Sequence, residues 1–400
     1  MRVVHLTSSF PRHAGDANGP YIAELVAAQR AAGIEAMVVA PHAPGLPVED
    51  ELFGVPVRRF RYAPPRAEVL AYRGGLLSTA RRPAGALAVG PFLAAFSRAA
   101  RRAVRTWEAD LVHAHWWLPA GWAAVRGARS TGTPTVVTCH GSDVGLARRT
   151  GFSGPARSVL IRATLVAAVS DALAAELRDV VPGVDPTVLR MPFRGWDEPR
   201  VAPPEDAPLR LVAVGRLMPE KGFDLLVAAT AALVAEGRAV RVTIVGDGPL
   251  RGVLAAQVGH SGLEEVVTFA GPVSRDGLRR AIDAAHAVVV PSRREGLGLV
   301  ALDAIDRGRP VIASAVGGLP ETLLAGGEVP AGNVHPSPEG LDTPAGILVR
   351  PGDVAALTHA LGRLPRAGRV VDPSRLRDRH DPDRIASEHL DAYRRAARLG

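Results

Sequence analysis

With 400 residues, 47% of them hydrophobic, the chain is too apolar to be disordered and long enough for two or three domains. No apolar run reaches membrane-spanning length; the nearest, residues 84–96, is broken by glycines and Pro91. The net charge of +8 lies wholly in residues 1–200, with 24 Lys+Arg against 16 Asp+Glu, while residues 201–400 balance at 24 against 24.

The N-terminus, MRVVHLTSSF, lacks the charged stretch and long apolar run of a signal peptide and reads as a first strand. The single cysteine, Cys139, rules out an internal disulfide framework and fits a reducing compartment. A cytoplasmic protein is expected, with peripheral attachment at the inner face of the membrane as a further expectation. The Ala, Arg, Gly and Pro richness points to a GC-rich, bacterial genome.

After strand 2–7 come the loop SSFPRHAGDANGP, a helix over 21–32 and a strand over 36–40, a βαβ opening. The loop has no GxGxxG, which argues against a nicotinamide site. Gly15 and Gly19 would let a phosphate or sugar approach the backbone, or simply make a turn. A strand is predicted at 55–61. Residues 58–105 then hold eleven Arg and one acid, Glu68. That segment is either a solvated face or a contact for an anionic membrane surface or anionic acceptor. Nucleic acid is disfavoured, since aromatics are 4% and no recognition motif accompanies the charge.

A helix is expected near 91–106 and a strand at 110–115, where His113 and His115 share one face. The stretch TVVTCHGSD (135–143) places His140 and Asp143 just past another strand. His113, His115, His140 and Asp143 permit a metal-hydrolase reading, but no further ligand completes a convincing set, so no metal is expected. A strand over 164–169, helix 172–180 capped by Ser170 and Asp171, and strand 187–191 close this half.

Residues 194–208 are proline-rich and apolar-poor, the best domain boundary. A second alternation follows: strand 209–214, loop GRLMPEKG, helix 223–236, strand 240–245, loop GDGP, helix 249–258, strand 265–269, helix 275–285 and strand 287–290. Then Pro291 and Ser292 end the strand, Glu295 stands at a loop tip, and Leu299, Leu302 and Ile305 recur at helical spacing. Gly308 and Pro310 stop that helix before a strand at 311–313. Strand 346–349, helix 353–362 and an amphipathic terminal helix near 382–397 finish the chain. The expected domains are 1–195, 196–380, and a segment 381–400 that packs back on the first.

Two features point to phosphate. Glu295 sits at the carboxyl end of a buried strand beside a glycine-flanked helix start, where α/β sheets bind ligands and helix-start N–H groups bind phosphate. Of the 48 basic residues only Lys221 is a lysine. Where this chain needs charge alone it uses Arg, so a lone Lys marks a place for a compact ammonium. Arg216 lies five residues before it, across a loop.

The pairing of GRLMPEKG (215–222) with PSRREGLGLVALDA (291–304) is similar to glycosyltransferase family 4, retaining enzymes of the GT-B fold. The resemblance is specific over 209–362, through VGDGP, VTFAGPV, GRPVIASAVGGLPE and GILVRPGD. It is looser before that, in the Gly19 loop, HGSD and AVSD. It implies an α/β, GT-B fold of two Rossmann-like domains facing a central cleft. It also implies transfer of a sugar from a UDP- or GDP-linked donor to the hydroxyl of a glycan, lipid-linked or small-molecule acceptor, with retention, no metal and no cofactor.

By resemblance, Arg216 and Lys221 hold the donor diphosphate and Glu295 the transferred sugar. The backbone of Gly296, Leu297, Gly298, Leu299 and Val300 holds the phosphates, Val273 faces the base, and Gly19 lies on the donor side. His140 matches the first-domain histidine near the reacting sugar; His115, Trp116 and Asp143 fall on the acceptor side. The ribose-gripping Glu of the family is Asp303 here, two turns into the helix, and the usual asparagine-containing PNGVD-like turn is replaced by MPFRGWDEP (191–199). The Asp303 departure leaves a degenerate nucleotide-sugar binder or partner subunit as the alternative.

Overall fold

Apolar runs too short for a helix become strands when helices can cover both of their faces. The computed structural model describes residues 1–16, 19–72, 79–80, 83–202, 208–324, 334–364 and 371–399. It divides into two compact units, Met1–Phe193 with His380–Gly400, and Arg194–Arg379.

The first unit holds β1 (Arg2–Leu6), β2 (Glu35–Pro41), β3 (Glu49–Leu52), β4 (Val55–Phe60), β5 (Leu111–His115), β6 (Thr135–Cys139), β7 (Leu165–Ala168) and β8 (Thr187–Val188). Their order across the sheet is β3-β4-β2-β1-β5-β6-β7-β8, parallel except for β3 against β4. Every residue of β5 and β6 is buried. The second unit holds β9 (Leu209–Val214), β10 (Val240–Val245), β11 (Val267–Gly271), β12 (Ala287–Val290), β13 (Val311–Ser314), β14 (Leu341–Thr343) and β15 (Gly346–Val349). Their order is β11-β10-β9-β12-β13-β15-β14, parallel except for β14 against β15. In both sheets the winding reverses beside the first strand, between β1 and β5 and between β9 and β12. Loops leaving such a pair diverge to opposite faces and open a crevice at the strand ends.

The Pro382–Leu399 helix lies on the first unit. Tyr393 and Ala396 pack with Val3, Ile34, Leu111 and Val136, and Ala392 packs with Ala167 and Leu189. Its partner helix is Pro20–Ala31, whose Gln29 amide donates to the Tyr393 hydroxyl at 2.8 Å.

Several local expectations need correction. The helix expected near 91 begins at Pro83 and runs through Pro91 to Trp107. Phe92 and Phe96 on its inner face pack against Phe60 and Tyr62, with Phe60 and Phe96 centroids 4.5 Å apart, so tertiary contact carries the helix across the proline. Strands β3 and β14 were not expected. Both are short, polar, antiparallel edge strands, which carry no apolar alternation. The 187–191 strand shrinks to Thr187–Val188, and the 265–269 strand is displaced to Val267–Gly271. Helices of six to eight residues, Trp122–Gly127, Ser142–Ala147, Ser153–Leu160 and Ser374–Arg379, are too short to show a period.

The proline-rich boundary is itself fastened to the second unit as far as residue 202. Arg307 donates to the carbonyls of Glu198 and Pro199 at 2.6 and 2.7 Å, and Arg309 to those of Val201 and Ala202 at 3.0 and 3.3 Å. Both arginines are 1% exposed, and Arg307 is balanced by Asp283 at 2.8 Å. The Arg275 guanidinium bonds the Gly195 carbonyl and lies 4.4 Å over the Trp196 ring. Residues 203–207 lie outside the described part.

Candidate active site

In the second unit the loops after β9 and β12 lie on either side of the winding reversal and join. Backbone N–H groups of Arg293 and Arg294 donate to the Glu220 carbonyl at 2.8 and 3.3 Å. Gly222 has φ of 67°, and a Cβ there would strike the Pro291 carbonyl, so only glycine lets the loops come this close. The result brings the lone lysine to the loop-tip carboxylate: Lys221 Nζ donates to Glu295 Oε2 at 2.6 Å. Ser292 Oγ donates to the same oxygen at 3.2 Å, and the Gly296 N–H reaches Oε1 at 3.3 Å. The side chains keep 29% and 13% of their exposure, so the pair is held in place but remains open to a ligand. Arg293 grips Asp224 with two bonds of 2.7 and 2.6 Å, which hold the Asp224 carboxyl below its usual range.

Directly after Glu295 the chain enters the Leu299–Asp306 helix. Gly298 is the N-cap, left-handed at φ 82°, and no side chain caps the helix start. The N–H groups of Leu299 and Val300 have no intrahelical partner and lie at the positive end of the helix dipole, while that of Ala301 already bonds the Gly298 carbonyl at 2.8 Å. Gly296, Leu297 and Gly298 are buried; Leu299 and Val300 are half-buried. Asp303, expected two turns into the helix, is about one turn in, because residues 295–298 are loop; it is half-buried. Arg216 is exposed in the β9 loop, and Val273 is half-buried just beyond β11. Gly246 and Gly248 of the GDGP loop lie so close to Gly215 and Leu217 that a Cβ on either would collide with them.

In the first unit Gly19 is the left-handed N-cap of Pro20–Ala31, and a Cβ there would strike the Ser9 carbonyl. Ala17 and Asn18 of the same loop lie outside the described residues. His140, half-buried beyond β6, has ring centroids of Tyr21 at 5.7 Å and Trp116 at 4.8 Å. Trp116 holds φ of 69°, a costly backbone state for a tryptophan. Asp143 is buried, and its carboxylate accepts the backbone N–H groups of His140 and Gly141, both at 3.0 Å, and of Trp117 at 3.2 Å. Burial pushes its pKa up, and these bonds oppose the rise. Asp143 thus shapes the loop that presents His140.

His115 is fully buried. It bonds His140 at 3.1 Å on one side and His5 at 3.2 Å on the other, and so reaches any ligand only through His140. The set His113, His115, His140 and Asp143 is not assembled around one point. Among the described residues, the three imidazoles with nitrogens within 4.8 Å of one another are His5, His113 and His115. Reading the sequence missed His5, Gln29, Ser292 and Tyr393. The one available signal was His5, a polar residue inside an otherwise apolar strand.

Residues 19–195 match the Glycosyltransferase Family 4 family, and residues 208–366 match Glycosyl transferases group 1. The 2-deoxystreptamine glucosyltransferase of Streptomyces kanamyceticus is 31% identical over 287 residues, 65% of this chain and 69% of the relative. A D-inositol 3-phosphate glycosyltransferase of Nocardioides sp. is 32% identical over 72% of this chain and 67% of its own. The glycogen synthase of Mycobacterium tuberculosis is 32% identical over 56% of each. Among solved structures, sucrose-phosphate synthase of Thermosynechococcus elongatus superposes with a TM-score of 0.74 at 22% identity, covering both chains entirely. Anabaena HepE in complex with UDP and glucose does so at 0.66 and 19%, over 98% of this chain and 99% of that one. These matches cover the loops in which Lys221 meets Glu295 and His140 is presented, on two sheets of GT-B type: the chain belongs to glycosyltransferase family 4.

Proposed function

We propose that the chain is a retaining, metal-independent glycosyltransferase that moves a sugar from a UDP- or GDP-linked donor to an acceptor hydroxyl. The observation that carries this reading is the Lys221–Glu295 pair at 2.6 Å beside an uncapped, glycine-led helix start. A nucleoside diphosphate-sugar presents a doubly charged diphosphate next to a sugar, and this corner offers an ammonium and helix-start N–H groups next to a carboxylate. Residues 196–380 would hold the donor, and residues 1–195 the acceptor. HepE structures contain UDP and UDP-glucose, which favours uridine as the base.

In the reaction the anomeric C–O bond to the diphosphate breaks and a new C–O bond forms to the acceptor oxygen on the same face. The acceptor proton passes to the departing phosphate. The main electrostatic task is the negative charge growing on that phosphate. Arg216, Lys221 and the N–H groups of residues 296–300 meet it, and Glu295 lies beside the positive charge developing on the sugar. Because two cations and a helix start already serve the diphosphate, no divalent ion is needed.

Thermal-shift titration against UDP, GDP and ADP, followed by hydrolysis of the corresponding sugar donors with and without chelator, tests this. A nucleoside diphosphate should raise the midpoint, and turnover should survive the chelator with the product's anomeric configuration unchanged. Binding without turnover of any donor would leave the protein a nucleotide-sugar binder.

A further inference from the structure

The buried imidazoles of the first unit form a directional chain. Gln29 Nε2 donates to the Tyr393 hydroxyl at 2.8 Å, which turns Gln29 Oε1 toward His5 Nε2 at 2.9 Å. An amide oxygen only accepts, so His5 carries its proton on Nε2 and leaves Nδ1 bare. That bare nitrogen lies 3.2 Å from His115 Nε2, which therefore donates, leaving His115 Nδ1 bare. His140 Nε2, 3.1 Å away, donates in turn. The Tyr393 hydroxyl gives its own proton to His113 Nδ1 at 2.7 Å, and His113 Nε2 donates to Thr138 Oγ1 at 2.7 Å.

Every group in the chain except His140 is fully buried: Gln29, His5, His113, His115 and Tyr393 are 0% exposed. His140 is half-buried, and among the described residues its Nδ1 is the one nitrogen of these four rings without a protein partner. The rings stay neutral at ordinary pH, because burial lowers His5 and His140 to about 3 and holds His113 and His115 well below their ordinary value. Around them stand Asp143, bonded to the His140 backbone, buried Cys139, and His389, whose Nδ1 is taken by the Ile385 carbonyl.

We propose that the Gln29–His5–His115 chain, anchored by Tyr393 of the C-terminal helix, fixes His140 as a neutral ring that meets its ligand as a hydrogen-bond acceptor at Nδ1. Gln29 and Tyr393 are then positioning residues for a ring they do not touch. Turning the Gln29 amide over would reverse every proton from His5 to His140, so one buried amide sets the state of the only partly exposed ring. The matching ligand group is one that donates, and on the reading of the protein as a sugar transferase it is a sugar hydroxyl. A deoxy or fluoro analogue lacks the proton and would be discriminated against. The tautomer itself follows from the hydrogen bonds alone and does not depend on the enzyme assignment.

The experiment is two-bond nitrogen–proton NMR on the ligand-free full chain with nitrogen-15 histidine, the His140 signals being identified by their loss in His140→Asn. The expected result is a single Nε2–H form for His5, His115 and His140, unchanged from neutral pH down to about 5. Tyr393→Phe and Gln29→Leu should each bring an Nδ1–H population to His140, while Gln29→Glu, still an acceptor toward His5, should keep the single form. Circular dichroism shows which variants are folded, and Tyr393→Phe, which only removes an oxygen, keeps the test available if Gln29 variants fail. An Nδ1–H His140 in the wild type overturns the proposal. So does a His140 indifferent to both Tyr393→Phe and Gln29→Leu, the behaviour of a merely packed ring. Added zinc that shifts His5, His113 and His115 together at stoichiometric concentration would overturn it in favour of a metal site.

Discussion

The Lys221–Glu295 contact ties two expected roles to one bond, and this gives mutations opposite signs. In the free protein Glu295 occupies the ammonium that the reading assigns to the diphosphate. Lys221→Ala should weaken nucleoside diphosphate binding by about 1–3 kcal/mol, the scale of a lost charged hydrogen bond. Glu295→Gln removes the competitor, so UDP or GDP affinity should hold or rise while kcat falls by orders of magnitude, the carboxylate being absent where positive charge develops. Calorimetric titration and steady-state kinetics separate the two; a Glu295→Gln protein that loses diphosphate affinity would show that the pair is structural. Asp303 belongs to the same scale. One turn into the helix rather than two, it stands closer to the helix start, where the proposal puts the diphosphate, than its spacing in the sequence implies. Asp303→Asn should raise the donor KM with little change in kcat. Asp303→Glu should cost less than about 1.5 kcal/mol in kcat/KM. An unchanged KM in Asp303→Asn removes the ribose assignment.

Among the elements, the arginine-rich segment 58–105 separates into two kinds of charge. Arg59 is buried on the Pro11 carbonyl, Tyr72 and Asp50, while Arg58 and Arg61 pair with Glu49 and Glu68. Arg98, Arg101, Arg102 and Arg105 are exposed on the Pro83–Trp107 helix, whose N-terminal half also exposes Leu87 at 81%. Arg73, Arg81 and Arg82 lie outside the described residues. No helix among the described residues is long and apolar enough to cross a membrane. We propose instead that the exposed face rests on anionic lipid. Sedimentation with vesicles containing phosphatidylglycerol should bring the protein down at low salt and release it at high salt, and Arg101→Glu with Arg102→Glu should abolish the effect. Equal partitioning onto neutral vesicles means the arginines only solvate a helix.

Across the whole molecule, the buried histidines couple folding to pH. His5 and His389 are lowered by burial to about 3 and about 4 from an ordinary 6.5. The unfolded chain therefore takes up protons below pH 6.5 that the folded chain refuses, and stability falls as pH drops through that window. Each ring contributes about 1.4 kcal/mol per pH unit. Asp143, raised by burial, acts in the opposite sense but only nearer the carboxylate range, so the histidines dominate between about pH 6.5 and 5. Urea midpoints should decline over that interval, and less steeply in His389→Leu, which removes one of the rings. A flat profile would mean that these rings are protonated in the folded protein.

The family, the fold class and most strands of the alternation could be read from the sequence, because apolar runs bounded by glycine and proline, and motifs such as GRLMPEKG, are local in the chain. What stayed hidden was set by contacts between distant segments. Glu49–Leu52 becomes a strand only because Val55–Phe60 offers it an edge, and the helix crosses Pro91 because Phe92 and Phe96 find Phe60 and Tyr62. Lys221 and Glu295 are 74 residues apart and meet because β9 and β12 are neighbours where the winding reverses. His5, His115 and Gln29 carry no motif. They become one chain because β1 pairs with β5, and Tyr393, 364 residues from Gln29, fixes the amide that orders the protons. Sequence decides the chemistry each residue carries. Strand order decides which residues meet, because the side chains that form a site come from loops brought together only when the sheet has closed.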